Sequence, residues 1–151
     1  MNKKQPTIFL LVSLITVILL AACKSAATPT PSNTITGIVW QWVSVTNQTT
    51  NQKTTVPNPQ NYTISFNADG TLTGKADCND FTGSYSQANG FSIKISTSTQ
   101  AFCGEGSLDQ QYLTLLGSVA AGGPDGAGGL ALETPGGEQR LLFENGGIAS
   151  K

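Results

Sequence analysis

Residues 62–76 read YTISFNADGTLTGKA. Three apolar side chains, Tyr62, Ile64 and Phe66, alternate with small polar ones, which is the pattern of a strand with one buried face. The Asn-Ala-Asp-Gly segment that follows is typical of a tight turn, because its glycine can adopt a positive φ angle. The chain then returns with Leu72 at the position that faces the core. The stretch therefore predicts a β-hairpin, and we expect a sheet to frame the fold.

Further strands are predicted on both sides of this hairpin. Aromatic and β-branched residues alternate over 37–46, and a polar loop with two prolines covers 49–59. Alternation and turn residues predict two more pairs, 81–85 with 91–95 and 130–134 with 139–144.

One segment changes period. Over residues 107–121 the apolar side chains recur at helical spacing, and Ser107 and Gln110 match a capping box at its start. The run Gly122-Gly123-Pro124 is expected to end this helix, and 124–129 is expected to be a glycine-rich loop. The order of elements predicts an α+β fold, with a mostly antiparallel, curled, barrel-like sheet and one helix between the two groups of strands.

The N-terminal segment has the features of an export signal. Lys3 and Lys4 precede an apolar run over 8–20, which ends in Leu20-Ala21-Ala22-Cys23. This ending resembles the lipobox of bacterial lipoproteins, which implies cleavage before Cys23 and lipid attachment to it. An ordinary cleaved signal and an uncleaved anchor are the alternatives.

These features predict four regions: a lipoprotein signal peptide over 1–22, a lipidated cysteine and Pro/Thr/Ser tether over 23–35, one folded domain over 36–145, and a frayed tail over 146–151. The predicted location is outside the cytoplasm, on the outer membrane or on the outer face of the plasma membrane. The membrane would be contacted through the lipid.

Charge and histidine content exclude several kinds of function. The formal net charge is −1, which leaves no basic excess for a nucleic-acid backbone. The chain has no histidine, so Ser-His-Asp and Cys-His catalysis and histidine-ligated metal sites are excluded. We predict no metal and no cofactor.

The chain has three cysteines. If Cys23 carries lipid, Cys78 and Cys103 remain, and an exported protein favours a disulfide between them. A metal pair and a reactive thiol are the alternatives, although neither cysteine belongs to a C-x-x-C motif.

Two groups of side chains are candidate sites. Asp77, Asn79 and Asp80 flank Cys78 and supply carboxylates suited to glycoside hydrolysis or Ca²⁺ binding, but a structural Asx-type turn is favoured. Trp40 and Trp42 lie on one side of the first strand. Trp40 is assigned to the core, and Trp42 is the candidate contact residue if it is exposed.

A set of motifs occurs in a fixed order along the chain. They are Trp40-Gln41-Trp42, the hairpin of 62–76, Asp77-Cys78-Asn79, Gly83-x-Tyr85, Thr99-x-x-x-Cys103 and Leu141-Leu142-Phe143. This set resembles the META domain, the family that includes the heat-shock protein HslJ. In that family a glycine usually precedes the first cysteine, and Met-Ala usually precedes the second.

The resemblance implies an envelope-associated α+β domain whose two cysteines are often bridged, and no established catalytic mechanism. We therefore expect a non-enzymatic, lipid-anchored envelope protein that acts by binding an unidentified partner or by supporting envelope integrity. A small apolar-ligand binder and an inhibitor of secreted proteases that uses the loop 48–59 are the alternatives.

Overall fold

The computed structural model describes residues 34–149. The strands are β1 (Ile38–Asn47), β2 (Lys53–Thr55), β3 (Tyr62–Phe66), β4 (Thr71–Ala76), β5 (Asn79–Ser86), β6 (Ser92–Ser98), β7 (Ala121–Pro124), β8 (Leu130–Glu133) and β9 (Gln139–Ile148). The helix α1 (Asp109–Gly117) lies between β6 and β7 in the chain. Two 3-10 helices, Pro59–Asn61 and Pro135–Gly137, precede β3 and β9.

The strands form one antiparallel sheet in the order β6-β5-β4-β3-β1-β9-β8-β7, with β2 paired to β1. Strand β1 is central because β9 pairs along its whole length, from Ile38 opposite Ile148 to Asn47 opposite Gln139. The sheet is strongly curled, and its two ends approach each other where Phe91, just before β6, donates to the carbonyl of Ala120, just before β7. The predicted α+β class with a curled sheet is confirmed, and residues 34–149 form a single domain.

The predicted hairpin of 62–76 is present as β3 and β4, with Phe66 opposite Leu72. Its turn is held by Asp69, whose Oδ1 accepts from the backbone N–H and the hydroxyl of Thr71 at 2.9 and 2.6 Å. These two hydrogen bonds, the hydroxyl one first, lower the pKa of Asp69. The ionised carboxylate of Asp69 is therefore the form that accepts both hydrogen bonds of the turn.

The helix is shorter than the sequence predicts. It ends at Gly117, and the next residues leave it because Ala120 donates to the carbonyl of Glu133 at 2.8 Å, which starts the pairing of β7 with β8. The Gly-Gly-Pro run belongs to β7, so it does not end the helix. A Cβ on Gly122 would lie 2.5 Å from the Ala131 carbonyl oxygen, so glycine is needed there for close approach of the strands.

The predicted capping box is wrong. The N-cap position is Leu108, which has no capping side chain, and Ser107 Oγ accepts from the Asp109 N–H rather than from Gln110. The Leu108 N–H instead donates to the hydroxyl of Tyr62 at 2.9 Å. A distant strand thus satisfies a donor at the start of the helix.

Three predicted boundaries also change. Ile35, assigned to the tether, is buried and its carbonyl accepts from the Trp40 indole at 2.8 Å, so the domain includes it. The tail predicted to fray from residue 146 continues β9 to Ile148. The loop 49–59 contains the short strand β2, and Val56 beside it is buried. The predicted signal peptide, Cys23 and the rest of the tether lie outside the described residues.

The concave side of the sheet is filled by side chains. A single cluster of buried residues runs from Ile35 to Phe143 and includes Tyr112 and Leu116 of the helix. Tyr112 lies against four aromatic rings: Trp42, Tyr62, Phe81 and Phe143. The helix therefore closes the interior as the predicted apolar face requires. Within residues 34–149, no helix is long and apolar enough to cross a membrane.

Candidate functional site

The candidate site is the segment 99–107, called the bridge loop here, which joins β6 to the start of α1. Cys103 in this loop forms a disulfide with Cys78, just before β5, with Cα atoms 5.5 Å apart. The pair predicted from the cysteine count is therefore present. In the chain-entropy model a closed loop of this size, with a sequence separation of 25, stabilises the fold by about 3.5 kcal/mol.

Asn79 forms a second attachment of the bridge loop, through hydrogen bonds of its side chain. Its side chain is buried, with 1% exposed. Its Oδ1 accepts from the Ala101 N–H at 2.7 Å and from the Thr99 hydroxyl at 3.1 Å, and its Nδ2 donates to the Ala101 carbonyl at 3.0 Å. The amide thus pairs with the loop backbone as a neighbouring strand would, although Thr99 and Ala101 lie beyond the end of β6.

Asp77 occupies a left-handed backbone conformation, with φ of 59°. Aspartate tolerates this region better than most residues, and glycine tolerates it best. The glycine that usually stands at this place in the META pattern would adopt this conformation without strain. The Asp77 carboxylate accepts from Asn61 Nδ2 and from the Tyr62 hydroxyl, both at 3.3 Å.

Asp80 is exposed; its backbone N–H donates to the Thr99 hydroxyl, and its carbonyl accepts from the Thr99 backbone N–H, both at 3.0 Å. The predicted turn is therefore shorter than the sequence suggests: Asp77 lies in it with Cys78, whereas Asn79 and Asp80 are the first residues of β5. Their partners differ from the prediction, because Asn79 and Asp77 bond to distant segments rather than to the local backbone. Among the residues described, no group of three or more Cys, Asp, Glu or His side chains is placed to hold a metal ion.

Phe102 is the most unusual side chain of the bridge loop, because it is 86% exposed between the residue held by Asn79 and the disulfide. It lines an open depression of about 490 Å³ together with Gln100, Ser107 and Gln110. Sequence reasoning missed Phe102, although one signal was present: a large aromatic residue directly precedes Cys103 where the META pattern usually has alanine.

Four carboxylates lie in the segments joined by the disulfide, and we call them the acidic group: Asp77, Asp80, Glu105 and Asp109. One basic side chain, Lys75, lies opposite Asp80 in the β4–β5 pair. Of the acidic group, Asp109 lines the same depression as Phe102, and no Lys or Arg side chain of the described residues lines it. Such a surface is complementary to a basic one.

Trp42 is not a contact residue. Its side chain has 0% exposure, its ring stacks on Tyr112 at 5.0 Å, and its indole N–H donates to the Ser44 carbonyl at 3.0 Å. The prediction fails because α1 covers the face of β1 on which Trp42 lies. Trp40, on the same face, is buried as predicted.

Comparison with known proteins agrees with the fold. The model of the META domain family matches residues 33–146. No curated protein matches the chain. One similar structure is the NMR structure of a protein from Burkholderia xenovorans, with a TM-score of 0.56, 19% identity, and coverage of 74% of this chain and 83% of the other.

Another is the crystal structure of a DUF4847 family protein from Bacteroides vulgatus ATCC 8482, with a TM-score of 0.55 and 14% identity. The alignment covers 77% of this chain and 96% of that one. At these identities the likeness shows a shared fold.

Proposed function

The chain belongs to the META domain family, and from that premise we propose that it is a lipid-anchored, non-enzymatic domain of the bacterial cell envelope that binds a partner protein through Phe102. The observation that carries the binding part is the 86% exposure of Phe102 on a loop fixed by a disulfide and a buried amide. An aromatic ring held in this way loses little conformational entropy on binding.

The anchoring part rests on the sequence around Cys23. Leu-Ala-Ala before Cys23 supports lipid attachment, and residues 24–33 would then form a tether with a reach on the order of 30 Å if extended like polyproline. The Cys78–Cys103 disulfide supports an oxidising compartment outside the cytoplasm. The membrane would be the outer membrane or the outer face of the plasma membrane.

The position of the bridge loop supports a partner other than the anchoring membrane. The chain enters the domain beside Phe66, where Thr36 pairs and Gly37 donates to the Phe66 carbonyl. The bridge loop is attached near Tyr62, at the other end of β3 and roughly 13 Å away along the strand. The bridge loop therefore lies at the end of β3 opposite the end at which the chain enters the domain.

The charge around Phe102 defines the kind of partner. The acidic group would repel anionic lipid headgroups and nucleic acid, whereas an apolar pocket bordered by Lys or Arg would fit it. We therefore propose a protein surface with such a pocket as the partner.

Two measurements test the proposal. Intact mass of the membrane-extracted protein should show a chain that begins at Cys23 with added acyl groups, and Cys23→Ser should lose the lipid. A photo-crosslinking residue at position 102, activated in the native envelope, should give a discrete protein adduct that high salt suppresses. The same residue at Lys53, exposed on β2, is the control. An unmodified Cys23 would contradict the lipid anchor. Adducts at position 102 no stronger than those at position 53 would contradict partner binding through Phe102.

A second candidate function is inhibition of secreted proteases. It is supported by the exposed loop between β1 and β2, which hydrogen bonds hold in one conformation. Asn47 Oδ1 accepts from the backbone N–H groups of Thr49 and Thr50 at 3.0 and 2.9 Å. Failure of a high excess of the protein to slow a panel of such proteases would count against it. An apolar ligand inside the curled sheet has no such support, because side chains occupy the concave face.

A further inference from the structure

The two sulfurs of the disulfide have different surroundings. Cys78 is exposed, whereas Cys103 is half-buried. The backbone N–H of Cys78 donates to Cys103 Sγ at 3.3 Å, and Asn79 Nδ2, whose two hydrogens also serve the Ala101 carbonyl and Asp109 Oδ2, lies 3.2 Å from the same sulfur. Within residues 34–149, no N–H donor is directed at Cys78 Sγ. The bridge is therefore chemically asymmetric.

We propose that this disulfide is a site of thiol–disulfide exchange at which an external thiolate attacks Cys78 Sγ and Cys103 leaves as the thiolate. The attacking sulfur donates an electron pair to Cys78 Sγ, a new S–S bond forms, and the Cys78–Cys103 bond breaks with its electron pair on Cys103. The product is a mixed disulfide on Cys78 and a thiolate on Cys103. The co-reactant is a low-molecular-weight thiol or the thiol of an oxidoreductase outside the cytoplasm.

Two physical requirements of exchange select this direction. The attacked sulfur must be reachable, and the leaving sulfur departs faster when its thiolate is stabilised. The exposure of residue Cys78 meets the first requirement, and the Cys78 backbone N–H meets the second at Cys103, with the Asn79 amide close enough to add a second donor, because hydrogen bonds to a charged form favour that form. The proposal does not depend on what Phe102 binds.

Two neighbouring groups act on the bridge as well. The Ala101 carbonyl oxygen lies 3.6 Å from Cys103 Sγ and 3.9 Å from Cys78 Sγ, so it does not distinguish the two sulfurs. Asp109 Oδ2 accepts from the same Asn79 Nδ2 at 3.2 Å, and its negative charge opposes a thiolate at Cys103. Removing the Asp109 charge should therefore accelerate the exchange, whereas removing the Asn79 donor should slow it.

The bridge loop has a second attachment that survives exchange. Asn79 would still pair with Ala101 and Thr99 after the S–S bond breaks. The modified Cys78 would then remain close to Phe102, because this pairing still holds the bridge loop beside β5.

The experiment uses the exported protein with its disulfide intact and reduced glutathione as the probe. After timed incubation under native conditions, acid quenching and alkylation of free thiols, peptide mass spectrometry assigns glutathione to one cysteine and the alkyl group to the other. We expect glutathione on Cys78 with a preference of about tenfold over Cys103. Equal labelling, a preference for Cys103, or no exchange until urea unfolds the chain would overturn the proposal.

Three variants separate the role of the donors from a general loosening of the loop. Asn79→Asp keeps the acceptor for Ala101 but replaces the donor to Cys103 with a carboxylate, and should slow exchange several-fold. Asp109→Asn should speed it. Thr99→Val removes one hydrogen bond of the same amide and leaves both sulfur donors, so its rate should not fall. If Asn79→Asp speeds exchange as Asp109→Asn does, the assignment of the leaving group is wrong. If Asn79→Asp does not fold, the labelling of the unmodified protein and the Asp109→Asn rate still decide the question.

Discussion

Asn79 and Ala101 exchange two hydrogen bonds, from the Ala101 N–H to Asn79 Oδ1 at 2.7 Å and from Asn79 Nδ2 to the Ala101 carbonyl at 3.0 Å. A buried side-chain amide here replaces a strand backbone, and it extends the pairing between β5 and β6 into the bridge loop. The disulfide then fixes the loop two residues further on. The exposed ring of Phe102 lies between these two attachments.

We expect Asn79→Ala to lower the free energy of unfolding by about 2–4 kcal/mol, because it removes a buried amide whose partners lose their hydrogen bonds. Urea unfolding with the disulfide intact measures the change. Gln100→Ala removes an exposed amide of the same loop and should change stability by less than about 0.5 kcal/mol. Equal effects of the two substitutions would show that the Asn79–Ala101 pair does not stabilise the fold.

Phe102→Ser should leave the free energy of unfolding within about 0.5 kcal/mol of the parent, because the side chain is 86% exposed. A photo-crosslinking residue at the neighbouring Gln100 should nevertheless lose its protein adduct in this variant, if the aromatic ring anchors the partner. A loss of stability, or an unchanged adduct, would contradict the assignment of Phe102 as a contact residue.

Trp42→Ala should have the opposite outcome. We expect a loss of about 3–5 kcal/mol, because a fully buried indole that stacks on Tyr112 leaves a cavity. Urea unfolding measures it, and the crosslinks from position 102 should persist under conditions where the variant is folded. A substitution at Trp42 that abolished the crosslinks without loss of stability would restore it as a contact residue.

The contrast between Trp42 and Phe102 shows what the sequence can predict here. Alternation and helical spacing are local, so the hairpin of 62–76 and the buried face with Tyr112 and Leu116 are predicted correctly. The same alternation places Trp40 and Trp42 on one face of β1 but does not say that α1 covers it. The covering element lies far along the chain.

The site itself depends on still more distant partners. Tyr62 accepts from Leu108 across 46 residues, and Asn79 bonds to Ala101 across 22. Nothing in the local pattern identifies such partners, and the pattern alone therefore predicts a capping box of Ser107 and Gln110 that the structure does not contain. The cysteine pair was predictable because counting cysteines needs no spatial information, whereas the asymmetry of its two sulfurs required the structure.

Substitution by alanine should destabilise the protein at Gly74 and stabilise it at Gly117. A Cβ on Gly74 would lie 2.2 Å from the Thr63 carbonyl oxygen and 2.4 Å from Phe81 Cζ, so Gly74→Ala should cost at least about 2 kcal/mol through forced movement of β3 or of the ring. Nothing lies within 4 Å of a Cβ on Gly117, at the end of α1, so Gly117→Ala should stabilise by about 0.5 kcal/mol. Thermal unfolding compares the two, and a tolerated Gly74→Ala would contradict the close approach of these strands.

Tyr112→Phe should stabilise the protein by about 1 kcal/mol at neutral pH, because the buried Tyr112 hydroxyl has no hydrogen-bond partner among the described residues. Burial also raises the pKa of Tyr112 well above 10, so the folded state holds this proton more tightly than the unfolded state does. This contribution to stability is complete below the unfolded-state pKa near 10 and is lost as pH rises above it towards the folded-state value. The free energy of unfolding, measured in urea between pH 7 and pH 11, should therefore fall less steeply in Tyr112→Phe than in the parent.

Tyr85→Phe is the control for the comparison at neutral pH. The Tyr85 hydroxyl donates to the Asn67 carbonyl at 2.8 Å, so its removal should destabilise the protein. Destabilisation of both variants to the same degree at neutral pH would mean that the Tyr112 hydroxyl is satisfied in the folded protein.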